Sequence, residues 1–257
     1  MRMAEASISE RAERFKTEAV RVGAIVYQAQ DARDAADYVL KIAREHGVKR
    51  VVRSSSIAAE EIGLNKHLED AGIEVVETGI ERWIARRGRE GASPGDLEQA
   101  AELLSKAADP LANRLESDSR VLLQAARRYL RQSILNADMG ISGANIAVAE
   151  TGTLVIMDCE GDARLVSTFP PLHMALVGGE KLVLTLGDAT SIVRLLGKSG
   201  AGQKMPGYIT SITGRSTTAD IPGAPLLPAQ GPAEVHIVLL DSHKPAGEFN
   251  LEIYRLP

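Results

Sequence analysis

ADMGISGANIAVAETGTLVIMDCEGDARLVSTFPPLH, residues 137–173, is the stretch on which the reading of this chain turns. Three short β-like runs, Ile146 to Ala149, Thr153 to Met157 and Leu165 to Thr168, alternate with glycine-containing turns that carry Asn145, Glu150, Thr151, Glu160, Asp162 and Arg164. Glycine frees the backbone in such turns, and exposed turn N–H groups together with one arginine can share the charge of a small anion. A structural core does not need so many polar groups between strands, so this segment is the candidate ligand site.

Upstream, residues 4–20 read as an amphipathic helix and Ala24 to Tyr27 as a short strand, after which Asp31 caps a helix that Gly47 ends. Ala35, Val39, Ile42 and His46 repeat at helical spacing, which makes His46 a last-turn residue. Lys49 to Arg53 is a buried-strand candidate, followed by Ser54, Ser55 and Ser56 and by a helix with Ile57, Glu61, Leu64 and Leu68 on one face. A hydroxyl-rich turn at the carboxyl end of a parallel strand can hold an anion, although serine also opens helices simply as a cap. Ile73 to Glu77 gives the next strand, and this alternation of helix and strand predicts a doubly wound α/β sheet. Trp83 in a basic helix, a loop over 88–95 and a helix over 95–106 follow, then a helix over 118–136 with its arginines facing outward.

Downstream, His173 to Val177 and Leu182 to Leu184 read as strands, Asp188 to Leu196 as a helix, and Met205 to Thr213 and Glu234 to Asp241 as strands around a Pro/Gly-rich loop. GKSGAG at 197–202 is not a phosphate loop, because Ile192 stands where the first glycine belongs and the helix precedes the motif. The chain divides into an N-terminal helical extension (1–22), one α/β domain (23–241) and a tail (242–257).

Composition narrows the function classes. With 257 residues and a net charge of −4, the chain has ample length for a core and no basic footprint for nucleic acid. The N-terminus mixes both charge signs without an apolar run, and no later run reaches the roughly 20 apolar residues of a membrane span, so a cytoplasmic location without a membrane span is expected. Cys159 is the single cysteine, so these residues form no internal disulfide and cannot supply the roughly four thiolates of an iron–sulfur cluster. No HxxxH pair or Cys/His cluster has metal-ligand spacing.

Four segments, SSSIAAEEIGLNKHLEDAGIEVVET (54–78), ISGANIAVAETGTLV (141–155), EGDARLVSTFPPLHMALVG (160–178) and GPAEVHIVLLD (231–241), closely resemble the lactate-utilisation (LUD) domain family. Their order and spacing are similar to the N-terminal half of the family's B subunit. The resemblance implies a three-layer α/β/α fold with a mostly parallel sheet, related to sugar-phosphate isomerases (the NagB and RpiA type) and CoA transferases. It also implies a part in oxidising L-lactate to pyruvate within an iron–sulfur complex. The B subunit continues into cysteine-rich sequence, so the clusters are expected only in partner subunits, with no cofactor held by these residues. One departure is Arg53-Ser54-Ser55-Ser56-Ile57, where the family often shows a Lys-Ser-Lys-Ser-Met-like run.

Arg164 is the first candidate for the ligand, since a guanidinium clamps a carboxylate with two parallel hydrogen bonds; the alternative is an ion pair with Glu160 or Asp162. Glu150, followed by Thr151, Gly152 and Thr153, is a candidate base or nucleophile beside an anion-holding turn, or else a carboxylate that ties the turn down. His173 is a candidate proton shuttle, set against the commoner reading of a satisfied core histidine; His67 and His236 have weaker cases. Asn145, Glu160, Ser54, Ser55 and Ser56 complete the ligand-binding set. The expected function is a LUD-domain subunit that binds a small carboxylate or phosphate-bearing metabolite, with cysteine-rich iron–sulfur subunits or a second copy of the chain as candidate partners. Two alternatives stand beside it: a stand-alone CoA-transferase or isomerase-like enzyme using Glu150, and a non-catalytic assembly subunit docked through its N-terminal helix.

Overall fold

The computed structural model describes residues 2–79, 119–198, 206–216 and 230–240. The expectations for Trp83, the 88–95 loop, the 95–106 helix and the C-terminal tail lie outside these residues.

Six strands form an all-parallel sheet: β1 (Ile25–Ala29), β2 (Arg50–Arg53), β3 (Glu74–Glu77), β4 (Met139–Gly143), β7 (Leu172–Gly178) and β10 (Glu234–Leu240). Their order is β1-β10-β7-β4-β2-β3, with every neighbouring pair parallel. A second sheet, β8-β5-β6-β9, is built from β5 (Ile146–Val148), β6 (Thr153–Asp158), β8 (Leu182–Val183) and β9 (Tyr208–Thr213).

Helices α2 (Ala32–Glu45), α3 (Ile57–Glu61) and α4 (Leu64–Asp70) cover one face of the parallel sheet, where Val39, Leu64, Leu68, Met139, Ile141 and Met174 share a core. On the other face lie α1 (Arg2–Arg21) and the small sheet, with Phe15, Ala19, Leu154, Val177 and Ile237 buried together. The C-terminal half of α1 therefore belongs to the core of the fold. Helix α7 (Leu186–Lys198) packs Ala189 and Ile192 on the far side of the small sheet. The architecture is three-layer α/β, as the pattern of elements and the family resemblance both imply.

Four local readings need correction. Leu165 to Thr168, expected as a strand, lies in α6 (Asp162–Thr168). Its β-branched residues suggested extension, but Ala163, Val166 and Ser167 recur at helical spacing and are the residues it buries, and Pro170-Pro171 follow directly. The single helix expected after the serines is broken into α3 and α4 by Gly63, whose φ of 62° is left-handed. The central strand β4 was not anticipated, because its two glycines, Gly140 and Gly143, dilute the strand pattern. The helix expected at Asp188 begins at Leu186, where Thr185 and Asp188 cap each other: Asp188 N donates to Thr185 Oγ1, and Thr185 N donates to Asp188 Oδ2.

Gly140 is where α6 meets the sheet. A Cβ built there would stand 1.9 Å from the Val166 carbonyl oxygen, so only glycine lets α6 lie on β4. Gly140→Ala is expected to destabilise the protein by about 1–3 kcal/mol or more, the usual cost of overpacking a close contact. Urea unfolding checks this, and an unchanged midpoint would show that α6 can move away at no cost.

Candidate functional site

After β1 the chain crosses to β2, runs outward to β3, returns to β4 on the other side of β2, and then steps through β7 to β10. The connection leaving β2 and the one leaving β4 thus depart in opposite directions. The crevice between them, at the carboxyl ends of the strands, is where parallel α/β sheets bind ligands. A cavity of about 130 Å³ occupies it.

Ser54, Ser55 and Ser56 after β2, Asn145 after β4, the Asp158–Asp162 connection after β6, and Lys181 line this cavity. Ser54 and Ser56 are buried, and Ser56 Oγ accepts from Ala59 N as the cap of α3. Helix α3 has only five residues, so the hydroxyls, not a helix dipole, are the groups this turn contributes. Asn145 Oδ1 accepts from Met157 N at 2.8 Å, leaving its NH2 group to donate elsewhere. The walls are tight: a Cβ on Gly143 would stand 2.8 Å from Ser56 Oγ.

Beneath the serines, Arg53 is almost fully buried and pairs with Glu77, which also accepts from Asn65 Nδ2, while Arg53 Nη1 donates to Ser54 O. Thr78 Oγ1 donates to Asp162 Oδ2 at 2.6 Å, joining the end of β3 to the start of α6.

Two charged groups in the cavity were not anticipated. Lys181, in the 3-10 turn Gly179–Lys181 after β7, makes no hydrogen bond or ion pair to another described residue. Burial holds its pKa below the ordinary lysine value, against the opposing pull of Glu180 and Glu61. Asp158 closes β6, and one of its oxygens accepts from Gly161 N. Its Oδ2 is buried without a partner. Burial pushes the Asp158 carboxyl upward, against the Gly161 and Glu160 N–H groups and Arg164, with Asp162 adding to the rise. The only sequence signal for Asp158 was its place at the end of an apolar run, and Lys181 had none.

The remaining predicted residues lie apart from this cavity. Glu150, Thr151 and Gly152 lie in the β5–β6 turn and Thr153 opens β6: Glu150 Oε1 accepts from Leu186 N at the start of α7, and Gly152 lies against the backbone of α1 at Ala19. Thr153 Oγ1 shares hydrogen bonds with Thr151 and Thr213. Arg164 is exposed on α6, its guanidinium 5.5 Å from the centre of the Tyr208 ring, in a neighbouring groove. Glu160 lines both the cavity and that groove.

His173 is completely buried on the face that α6 covers, with Nε2 2.8 Å from Ser142 Oγ and Nδ1 unpartnered. At the opposite end of the strands, Glu234 lies 3.3 Å from both His46 and His236, and Tyr38 Oη bonds His236 Nδ1. His46 forms the C-cap of α2, and His67 pairs with Asp37.

Among the described residues no group of three or more His, Cys, Asp or Glu side chains could hold a metal, and Cys159 is an exposed lone thiol. This donor set does not fit an iron–sulfur cluster. No described helix is long and apolar enough to cross a membrane.

The sequence profile of the LUD domain matches residues 12–240. The chain is 34% identical over 224 residues to lactate utilization protein B of Oceanobacillus iheyensis, covering 86% of this chain and 45% of that protein. It is 35% identical to lactate utilization protein B of Geobacillus thermodenitrificans, covering 86% and 46%. It is also 32% identical to the uncharacterized electron transport protein YkgF of Escherichia coli, again covering 86% and 46%. The chain thus spans about half the length of these curated relatives. The crystal structure of a DUF162 family protein from Deinococcus radiodurans superimposes with a TM-score of 0.52 at 16% identity, covering 91% of this chain and 98% of that one. That likeness is one of fold.

Burial lowers the His173 pKa to about 4. A histidine held below its unfolded value of about 6.5 contributes stability that is complete above that value and is lost as pH falls toward the folded one, roughly 3 kcal/mol in all. Denaturant titrations at pH 7 and 4.5 should therefore show a larger loss for wild type than for His173→Gln; equal losses would place the titration elsewhere.

Proposed function

The chain belongs to the LUD domain family, and on that premise we propose that its cavity binds a three-carbon 2-hydroxy or 2-oxo acid as part of lactate utilisation. One observation carries this reading: Asp158 Oδ2, buried without a partner, and the largely buried Lys181, which makes no hydrogen bond to another described residue, line the same small cavity.

A 2-hydroxy acid answers both groups. Its carboxylate pairs with the Lys181 ammonium and takes hydrogen bonds from the serine hydroxyls and the Asn145 amide, while its hydroxyl donates to Asp158. Size agrees as well, since a cavity of about 150 Å³ takes benzene, with the same number of non-hydrogen atoms as lactate. A carboxylate that pairs with Lys181 raises the lysine pKa again, so binding is accompanied by proton uptake where the free amine is partly neutral.

Oxidation of such an acid needs an electron acceptor, and the thiolates of any iron–sulfur cluster have to come from outside these 257 residues, whose single cysteine is Cys159. In this reading the chain supplies the binding domain, and a cysteine-rich segment or subunit takes the electrons. The names of the relatives, lactate utilization protein B and electron transport protein, support it. The cavity lends no support to a stand-alone transferase, because Glu150 lies outside it.

A ligand bound only by the folded protein raises its melting temperature. L-Lactate is expected to raise that of wild type most, pyruvate and propionate to raise it less because both lack the hydroxyl that donates to Asp158, and Lys181→Met to abolish every shift. No shift of the wild type with any of them would refute the reading.

A further inference from the structure

Helix α5 (Ser119–Leu135) carries Arg127, Arg128 and Arg131 on its exposed side. Like charges one turn apart, as at 127 and 131, destabilise a helix. Elsewhere on the described surface, basic side chains stand beside acids: Lys16 with Glu13, Arg21 with Glu18, Arg50 with Glu74. Arg127, Arg131 and Arg164 make no hydrogen bond or ion pair to another described residue, and all three line one groove of about 290 Å³. The carboxylate that lines it is Glu160.

The rest of the groove is aromatic and aliphatic. Phe169 is 52% exposed, Leu135 55% and Tyr208 42%, and the Arg164 guanidinium lies over the Tyr208 ring, 5.5 Å from its centre. Unpaired guanidiniums select phosphate, which their planar fork binds through two parallel hydrogen bonds. Two of them one helical turn apart have Cβ atoms about 5–6 Å apart, suited to adjacent phosphoryl groups. Exposed rings beside them offer a stacking surface for a planar base, and the volume approaches the roughly 300 Å³ at which small-molecule sites begin.

We propose that this groove binds a diphosphate carrying a planar base: an adenosine diphosphate moiety, free or as part of a larger cofactor. The diphosphate lies across Arg127 and Arg131, and the base packs on Tyr208 and Phe169. This site is separate from the small-acid cavity, with the Asp158–Gly161 connection between them.

Calorimetric titration of the purified chain with ADP, inorganic pyrophosphate and coenzyme A tests it. ADP is expected to bind more tightly than pyrophosphate and to weaken with salt, as guanidinium–phosphate contacts do. Arg127→Gln/Arg131→Gln should lose at least about tenfold in ADP affinity, and Tyr208→Ala should weaken ADP while leaving pyrophosphate unchanged. Tighter binding of coenzyme A than of ADP would assign the moiety to a larger cofactor, and the reverse to a free nucleotide. The proposal is overturned if wild type binds no ADP, if the double variant, folded by circular dichroism, binds it as wild type does, or if pyrophosphate equals ADP. Because L-lactate is absent from the titration, its outcome is independent of the small-acid reading.

Discussion

The close seating of α6 on β4 is the contact on which the site depends. Gly140 has no side chain, so the Val166 carbonyl lies where a Cβ would be, and the helix sits at backbone distance from the sheet. At that depth the connection from Asp158 to Gly161 reaches over the crevice between β2 and β4, and the Thr78–Asp162 hydrogen bond fastens it to the end of β3. Gly143, three residues on and therefore on the opposite face of the strand, lets Ser56 crowd the strand end from that side. Side chains at these two positions would separate the walls that bring Lys181, Asn145 and Asp158 around one small volume.

The charges around that volume divide by whether the protein satisfies them itself. Arg53 and Glu77 form a buried pair with added hydrogen bonds from Asn65 and to Ser54 O, the condition under which burying charge is tolerated. Removing one partner of such a pair leaves an uncompensated charge, which costs about 3–5 kcal/mol. For Lys181 and Asp158 the compensation from neighbouring charges and N–H groups is incomplete, and burial shifts one down and the other up, toward their neutral forms. Two groups displaced in opposite directions thus share one cavity at the carboxyl ends of β2 and β4.

Across the Asp158–Gly161 connection the electrostatics are of another kind. Arg127, Arg131 and Arg164 face solvent, so their field is screened by salt and extends only about 8–10 Å at ordinary ionic strength. The cavity is small, partly desolvated and demanding in shape; the groove is wide, wet and demanding in charge. Glu160, which lines both, separates the two cationic environments.

Much of this was legible in the amino-acid sequence. Alternating helical and strand patterns announced a parallel α/β sheet, Ser54 to Ser56 marked the turn after β2, and Asn145 and Glu160 fell in the stretch that lines the cavity. Such signals are local, carried by periodicity, turn residues and caps. The glycine-diluted β4 and the placing of Glu150 and Arg164 outside the cavity were decided by packing against segments distant in sequence, whereas the helical state of Leu165 to Thr168 and the break at Gly63 are local features that the β-branched run and the apolar spacing masked. Lys181 carries no motif, and it becomes significant only because strand order places the end of β7 near the carboxyl ends of β2 and β4. Sequence by itself determined most of the strands and helices through their own hydrophobic spacing; only the tertiary structure decided which polar groups meet, because convergence of side chains is set by strand pairing and helix depth, which no local pattern records.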